Sequence, residues 1–285
     1  MIAIITDSTC DIPDALTEKY DIIVISHVLI WGDEQFRDRV DIQPVEFYER
    51  FVTDPIRPTT AQASVGDFLA GIQQAIDKGA DGAVILTVSS AMSGAYNMAR
   101  TAAEQASIPV RVIDSKGPTM TLGWQVLAAA RARDNGAGLD EIVDVADTVR
   151  ANLVQMVAME SLEYLQYGGR IGDAVKWVGN VLRVKPLIAI NHETGRVQPV
   201  GLARTHASLI KMLYTKFFER LQGEGKLHLA VLHGNTLAEA QKLVEKIKEE
   251  FNPFELIVNI TGPVLGINTG PDALALCGYF ESNLP

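Results

Sequence analysis

Cysteine is nearly missing from this sequence: Cys10 and Cys277 stand alone among 285 residues. Two thiols make neither a disulfide framework nor a four-ligand zinc site, and their isolation points to packing. Long apolar runs are missing too, since stretches such as Ala83 to Leu86 and Leu187 to Ile190 end far short of the roughly 18 residues needed to cross a bilayer. No transmembrane segment is expected. Met1-Ile2-Ala3-Ile4-Ile5-Thr6-Asp7 has no basic n-region and turns polar early, so it reads as a buried strand and not a signal peptide, which predicts a cytoplasmic protein. Positive charge is in deficit, with 25 Lys and Arg against 35 Asp and Glu. The resulting net charge of −10 disfavours nucleic acid and anionic membranes, which are met by clustered basic residues. Neither G-x-x-x-x-G-K-[ST] nor G-x-G-x-x-G after a strand occurs, and His192-Glu193 lacks the second histidine of H-E-x-x-H. No nucleotide, cofactor or metal site is expected.

What is present is an ordinary globular composition, 47% hydrophobic and 21% charged, in a chain long enough for about two domains. In the first half, apolar runs at Ile2 to Thr6, Ile22 to Trp31, Ala83 to Val88 and Val110 to Ile113 alternate with helix-length segments, which predicts parallel α/β layering. Asp11 before Ile12-Pro13, Gln43 before Pro44, and Ser64 before Val65, Phe68, Leu69, Ile72 and Ile76 are helix-start signals. Two helices follow between Thr119 and Leu153, broken at Asn135-Gly136-Ala137-Gly138. The second half predicts strands at Leu153 to Met159, Val184 to Asn191 and Arg196 to Gly201, the last two joined as a hairpin by His192-Glu193-Thr194-Gly195. A helix Thr205 to Gln222, a strand Leu227 to His233, a helix Leu237 to Glu250 and a strand Glu255 to Ile260 complete a mixed-sheet half. The expected division is an N-terminal α/β domain, 1–152, and a C-terminal α/β domain, 153–285, with a ligand site between them.

Four segments carry candidate chemistry. Thr87-Val88-Ser89-Ser90-Ala91-Met92-Ser93-Gly94 leaves a strand and opens a helix, where free N–H groups and the dipole favour an anion; Ser93 and the Gly94 amide are the candidate donors, against simple capping by Ser89 or Ser90. Arg57-Pro58-Thr59-Thr60-Ala61-Gln62-Ala63-Ser64 reads as a second polar loop able to converge on the same anion, or as a turn capped by Ser64. Tyr167-Gly168-Gly169-Arg170-Ile171 presents one arginine from a close-approaching backbone, or a solvated surface turn. Thr261 to Asp272, dense in Gly and Pro, reads as a loop able to place Asn268 and Thr269 at a ligand. An acyl hydrolase using Ser93 with one of His192, His206, His228 or His233 is the competing reading, although Ala91 and Ala95 stand where G-x-S-x-G needs glycine. Asp7 and Asp11 fit either a cation or ordinary turn and cap duties.

In order along the chain, Thr6-Asp7-Ser8-Thr9-Cys10-Asp11-Ile12-Pro13, Arg57-Pro58-Thr59-Thr60-Ala61-Gln62, Ser90-Ala91-Met92-Ser93-Gly94, Asp114-Ser115-Lys116, Tyr164-Leu165 through Gly168-Gly169-Arg170-Ile171, Lys185-Pro186-Leu187, and Gly262-Pro263 to Gly270-Pro271 resemble the DegV family of bacterial fatty-acid-binding proteins, lipid-carrying partners of fatty acid kinase. The resemblance spans residues 6 to 271. It implies a two-domain α/β protein that holds one long-chain fatty acid in a buried tunnel, with Thr60 and Ser93 on its carboxylate and Arg170 near the entrance where the kinase docks. Phosphoryl transfer would then belong to the kinase, and this chain would not be an enzyme. Two positions depart from the family pattern: Asn268 stands where histidine is usual, and Asp272 where glycine is usual. Asn268 offers a hydrogen bond without a titratable charge, and Asp272 would repel an anionic head group unless it points away.

Overall fold

The structure is a computed structural model and describes residues 1–177 and 184–281. Along the chain the strands and helices run β1 Ile2–Asp7, α1 Asp14–Lys19, β2 Ile23–Ile25, β3 Val28–Trp31, β4 Glu34–Arg37, α2 Pro44–Phe51, β5 Thr59–Ala61, α3 Val65–Asp77, β6 Gly82–Thr87, α4 Ala95–Glu104, β7 Val110–Asp114, α5 Met120–Asp134 and α6 Leu139–Asn152. They continue with β8 Val154–Ala158, α7 Glu163–Tyr167, β9 Lys185–Asn191, β10 Arg196–Ala203, α8 His206–Arg220, β11 Lys226–His233, α9 Leu237–Phe251, β12 Glu255–Ile260, α10 Pro263–Thr269 and β13 Leu274–Glu281. One sheet, in the order β2-β1-β6-β7, is parallel throughout; a second, β10-β9-β8-β13-β11-β12, is mixed, with only β11 and β12 parallel. The α/β class and the parallel-then-mixed order follow the sequence pattern.

The layers arise from the two-residue period of the strands. On β1, Ala3 and Ile5 face α3 and α4, whereas Ile4 faces inward; on β11, Leu229 and Val231 face α8 and α9, whereas Ala230 and Leu232 face inward. Both inward faces meet α5 and α6, giving a stack of helix, sheet, helix, sheet and helix. Every residue of α5 from Met120 to Ala130 is buried, the condition of a helix apolar on all sides with protein on all sides. Trp124 anchors it across the stack, donating its indole N–H to the Cys277 carbonyl at 3.3 Å and meeting the Tyr279 ring edge-on.

Several elements depart from the sequence expectation. Ile22 to Trp31 is not one strand: it breaks after Ile25, so that β2 joins the parallel sheet and β3 joins a small antiparallel sheet ordered β4-β3-β5. Alternating burial along β3 and its aromatic partners Phe47 and Tyr48 of α2 close this extra layer. Asp11 does not cap a helix; it adopts φ 49°, follows the 3-10 turn Ser8–Cys10, and α1 begins only at Asp14. The polar segment around Thr60 is the strand β5, and the Gly/Pro-rich segment after Thr261 is the helix α10, started by Pro263 at its first position. Gln43 and Ser64 precede α2 and α3 as expected, Ser64 in a reciprocal capping box with Asp67.

Because α5 supports both sheets, truncating its anchor should be felt throughout. Trp124→Ala is expected to destabilise by about 3–5 kcal/mol, and Trp124→Phe, which keeps most of the ring but loses the indole hydrogen bond, by about 1 kcal/mol. Equilibrium denaturation in urea checks both values, and a loss below 1 kcal/mol for Trp124→Ala would show that α5 is not the common support.

Candidate functional site

A cavity of about 340 Å³ opens where the carboxyl ends of β1 and β6 face the inner side of the mixed sheet. Its two walls differ in chemistry. Val157 of β8, Ile188 and Ile190 of β9 and Val197 of β10 supply an aliphatic wall, extended by Val88, Met92, Leu165 and Leu265. Thr9, His27, Thr60, Ser93, Asn268 and Thr269 supply hydroxyls, an imidazole and an amide. Among the described residues that line it, none is an aspartate, glutamate or lysine, and only His27 and Arg170 can carry positive charge.

The structure therefore brings Thr60, Ser93, Asn268, Thr269 and Arg170 to one cavity. It does not place Gly94 there: the Gly94 N–H is donated to Gln62 Oε1 at 3.2 Å, which corrects its assignment as a head-group donor. The same bond ties the Thr60 segment to the start of α4, joining the two polar loops directly. Ser93 Oγ accepts from the Ala95 N–H at 3.2 Å, and its own proton has no acceptor among the described contacts. Thr269 donates to Leu265 O at 3.1 Å and keeps its lone pairs. Asn268 commits one amide hydrogen to Val264 O at 2.8 Å, while its Oδ1 is buried without a partner. Arg170 donates Nε to Met92 O at 3.1 Å and a terminal nitrogen to Gly168 O, which holds an exposed side chain across the cavity mouth.

The remaining serines and acids have structural duties. Ser89 Oγ reaches across to Gly195 O at 2.8 Å, locking the loop after β6 to the hairpin turn, and Ser90 bonds Asp114, so neither caps α4. Asp7 accepts from Thr9 N, Thr9 Oγ1 and Val88 N, and Asp11 pairs with Arg39 at 2.6 Å and accepts the Gly262 N–H. Asp272 is exposed and does not line the cavity. Ser93 makes no hydrogen bond to histidine or carboxylate among the described residues, and His192, pushed down to about 4 by burial, sits on Thr121 instead. The triad of a hydrolase is not assembled.

Two further features went unread in the sequence. Thr119, at φ 54° and ψ −137°, holds a backbone shape that side chains rarely adopt; its N–H donates to Thr9 O at 2.9 Å and its Oγ1 accepts from Gln155 at 2.9 Å. The strain sits where α5 begins, and Pro118 and Thr119 bring the positive end of that helix to the cavity wall. His27 lines the cavity beside Thr60, hidden in the sequence because it lies inside an apolar run that reads as strand.

A family model described as "Uncharacterised protein, DegV family" matches residues 1–281. The chain belongs to the DegV family. A DegV domain-containing protein of Clostridium acetobutylicum is 30% identical over 288 residues, covering 99% of each chain. The crystal structure of DegV from Bacillus subtilis, described as a fatty acid binding protein, superposes with a TM-score of 0.90 at 27% identity, over 98% of this chain and 99% of that one. A stearic-acid-binding protein of Eubacterium ventriosum superposes with a TM-score of 0.89 at 25% identity, over 99% of each chain. DegV-family structures thus bind fatty acids, and this chain shares their fold over nearly its whole length.

Gly168 sets how closely α7 and α10 approach in this DegV-family chain, because a Cβ there would collide with Asn268 Oδ1. Gly168→Ala is expected to push the Asn268 amide away from Val264 O and to cost about 1–3 kcal/mol, the range for overpacking. Chemical denaturation reads the cost, and a crystal structure of the variant with Asn268 unmoved would refute the contact.

Proposed function

We propose that the protein binds one long-chain fatty acid in this cavity, with its carboxylate on Thr60, Ser93, Asn268 and Thr269, and presents it to a fatty acid kinase that docks beside Arg170. The units 1–152 and 153–285 enclose the ligand, the protein works in the cytoplasm, and it performs no chemistry of its own. One observation supports this above the others: a single cavity joins an aliphatic wall to hydroxyl and amide groups, with no acidic side chain among its described lining residues. An ionised head on an aliphatic chain is the ligand class that uses both walls at once.

The energetics divide the work. Each buried CH₂ contributes about 0.8 kcal/mol, so a long acyl chain brings on the order of 10 kcal/mol before the entropy of binding is subtracted. Hydrogen bonds to the charged head add about 1.5–3 kcal/mol each and fix which end enters. The tail supplies affinity and the head supplies register. Asn268 has one amide hydrogen left for this purpose, since Val264 O takes the other.

Denaturing extraction followed by lipid mass spectrometry is expected to recover a fatty acid from the purified protein; no recovered lipid and no uptake of added palmitate would overturn the reading. Ser93→Ala and Thr60→Val are each expected to weaken palmitate binding by about 1–3 kcal/mol in displacement titrations. Unchanged affinity in the double variant would place the carboxylate elsewhere, and ester hydrolysis abolished by Ser93→Ala would favour the hydrolase. Arg170→Ala is expected to leave palmitate affinity within twofold while lowering acyl phosphate formation with a fatty acid kinase and ATP; equal turnover would move the docking site.

A further inference from the structure

The geometry points to His27 as the residue that supplies positive charge to the head-group end of the cavity, so that taking up an anionic lipid is coupled to protonation of this imidazole. The inference rests on the fatty-acid reading and adds to it a residue and a pH dependence. His27 lies between β2 and β3, its side chain only 3% exposed, and it shares the cavity wall with Thr60 and Ser93. Its Nε2 stands 3.4 Å from Asp7 Oδ1 and has no hydrogen-bond partner. The other cationic side chain on that wall, Arg170, is exposed at the mouth, where water screens it. Charge on the buried imidazole acts through a poorly screening interior and is felt more strongly by a carboxylate in the cavity.

The surroundings sustain that charge. Burial opposes it, but the Asp7 carboxylate, and after it Asp38, outweigh burial and hold the imidazole above its ordinary value. Asp7 is ionised in turn: burial opposes this, while His27, Thr9 and the Val88 N–H overcome the opposition. Asp38 accepts a hydrogen bond from the Ser8 hydroxyl at 2.7 Å, and Ser8 Oγ accepts one from the His27 backbone N–H at 3.1 Å. Arg39, beside Asp38 in sequence, pairs with Asp11 at 2.6 Å and also favours the ionised form of Asp38. The sign follows. Below the raised pKa the imidazole is charged and attracts the ligand carboxylate; as pH rises through that pKa the attraction is lost. Asp38, pushed up to about 6 by burial, ionises with the same sign, since its negative charge also opposes the ligand. A direct reading of the His27 ring separates the two.

Linkage supplies that reading, because a carboxylate that binds more tightly to the protonated protein must raise the pKa of the responsible ring by the same factor. Imidazole nitrogen shifts of the full, delipidated chain are followed by NMR against pH, alone, with palmitate and with hexadecanol, which has the same tail and a neutral head. His27 is assigned among the five histidines with His27→Gln or, should that variant not fold, by replacing the other four. Palmitate is expected to raise the His27 pKa by about one unit, hexadecanol to leave it in place, and palmitate affinity to fall about tenfold as pH rises through the transition. A His27 pKa unchanged by bound palmitate, or a His27→Gln protein with the wild-type pH profile, overturns this inference alone. Failure of both ligands to bind at every pH overturns the fatty-acid reading, and this inference with it.

Discussion

Burial of α5 on all sides is the constraint on which the rest of the structure depends. A helix with Met, Leu, Trp, Val and Ala around its whole circumference has no face to give to water, and two sheets are the least that cover it. Each sheet is then buried on both of its own faces, which is why β1, β6 and β11 are buried at nearly every position. The gap that α5 holds open between the sheets continues past its first residue. There the helix has not yet begun, Pro118 and Thr119 lead into it along the wall, and the cavity opens.

Polarity inside that cavity follows from where backbone regularity stops. The inner faces of β8, β9 and β10 satisfy their own N–H and C=O groups within the sheet and present aliphatic side chains. Opposite them, Thr9, His27 and Ser93 lie in the segments after β1, β2 and β6, where the parallel ladders have ended, while Thr60 stands on the short strand β5 and Asn268 and Thr269 close α10. Two buried polar atoms without partners stand on the same side, Asn268 Oδ1 and His27 Nε2. Hydrogen-bonding capacity left unused next to an aliphatic slot is the feature on which the proposed fatty-acid site rests.

Sequence pattern revealed most of the layers and several of the residues that line the cavity, for different reasons. Strong period-two runs and cap residues such as Ser64 made the two sheets and their helices readable, because those choices are local. Thr60 and Ser93 were readable because hydroxyls stand next to element ends. The failures share a physical cause: tertiary context overrode local signals. Ile22 to Trp31 is apolar except at Ser26-His27, and the separate demands of two sheets break it there, after Ile25. Glycine and proline around Pro263 argue for a loop, yet Pro263 is the first residue of α10, and the close packing of Gly266 against Phe47 and Tyr48 needs the missing side chain. His27 gave no signal because nothing in an apolar run says that one side chain will face Asp7. At Gly94 a helix-start N–H suggests a donor open to a ligand, but a glutamine 32 residues earlier accepts it.

The placement of β13 has a consequence for the synthesis of the chain. This strand, the latest of those described, lies between β8 and β11, in the middle of its sheet and against α5. During translation the first half can assemble its parallel sheet early, but the other flank of α5 stays uncovered until residues 274 to 281 leave the ribosome. A nascent chain therefore carries an exposed apolar helix while its second half is made, a state prone to association with other chains and with chaperones. Closure of the second sheet, burial of α5 and completion of the ligand cavity then become a single late event.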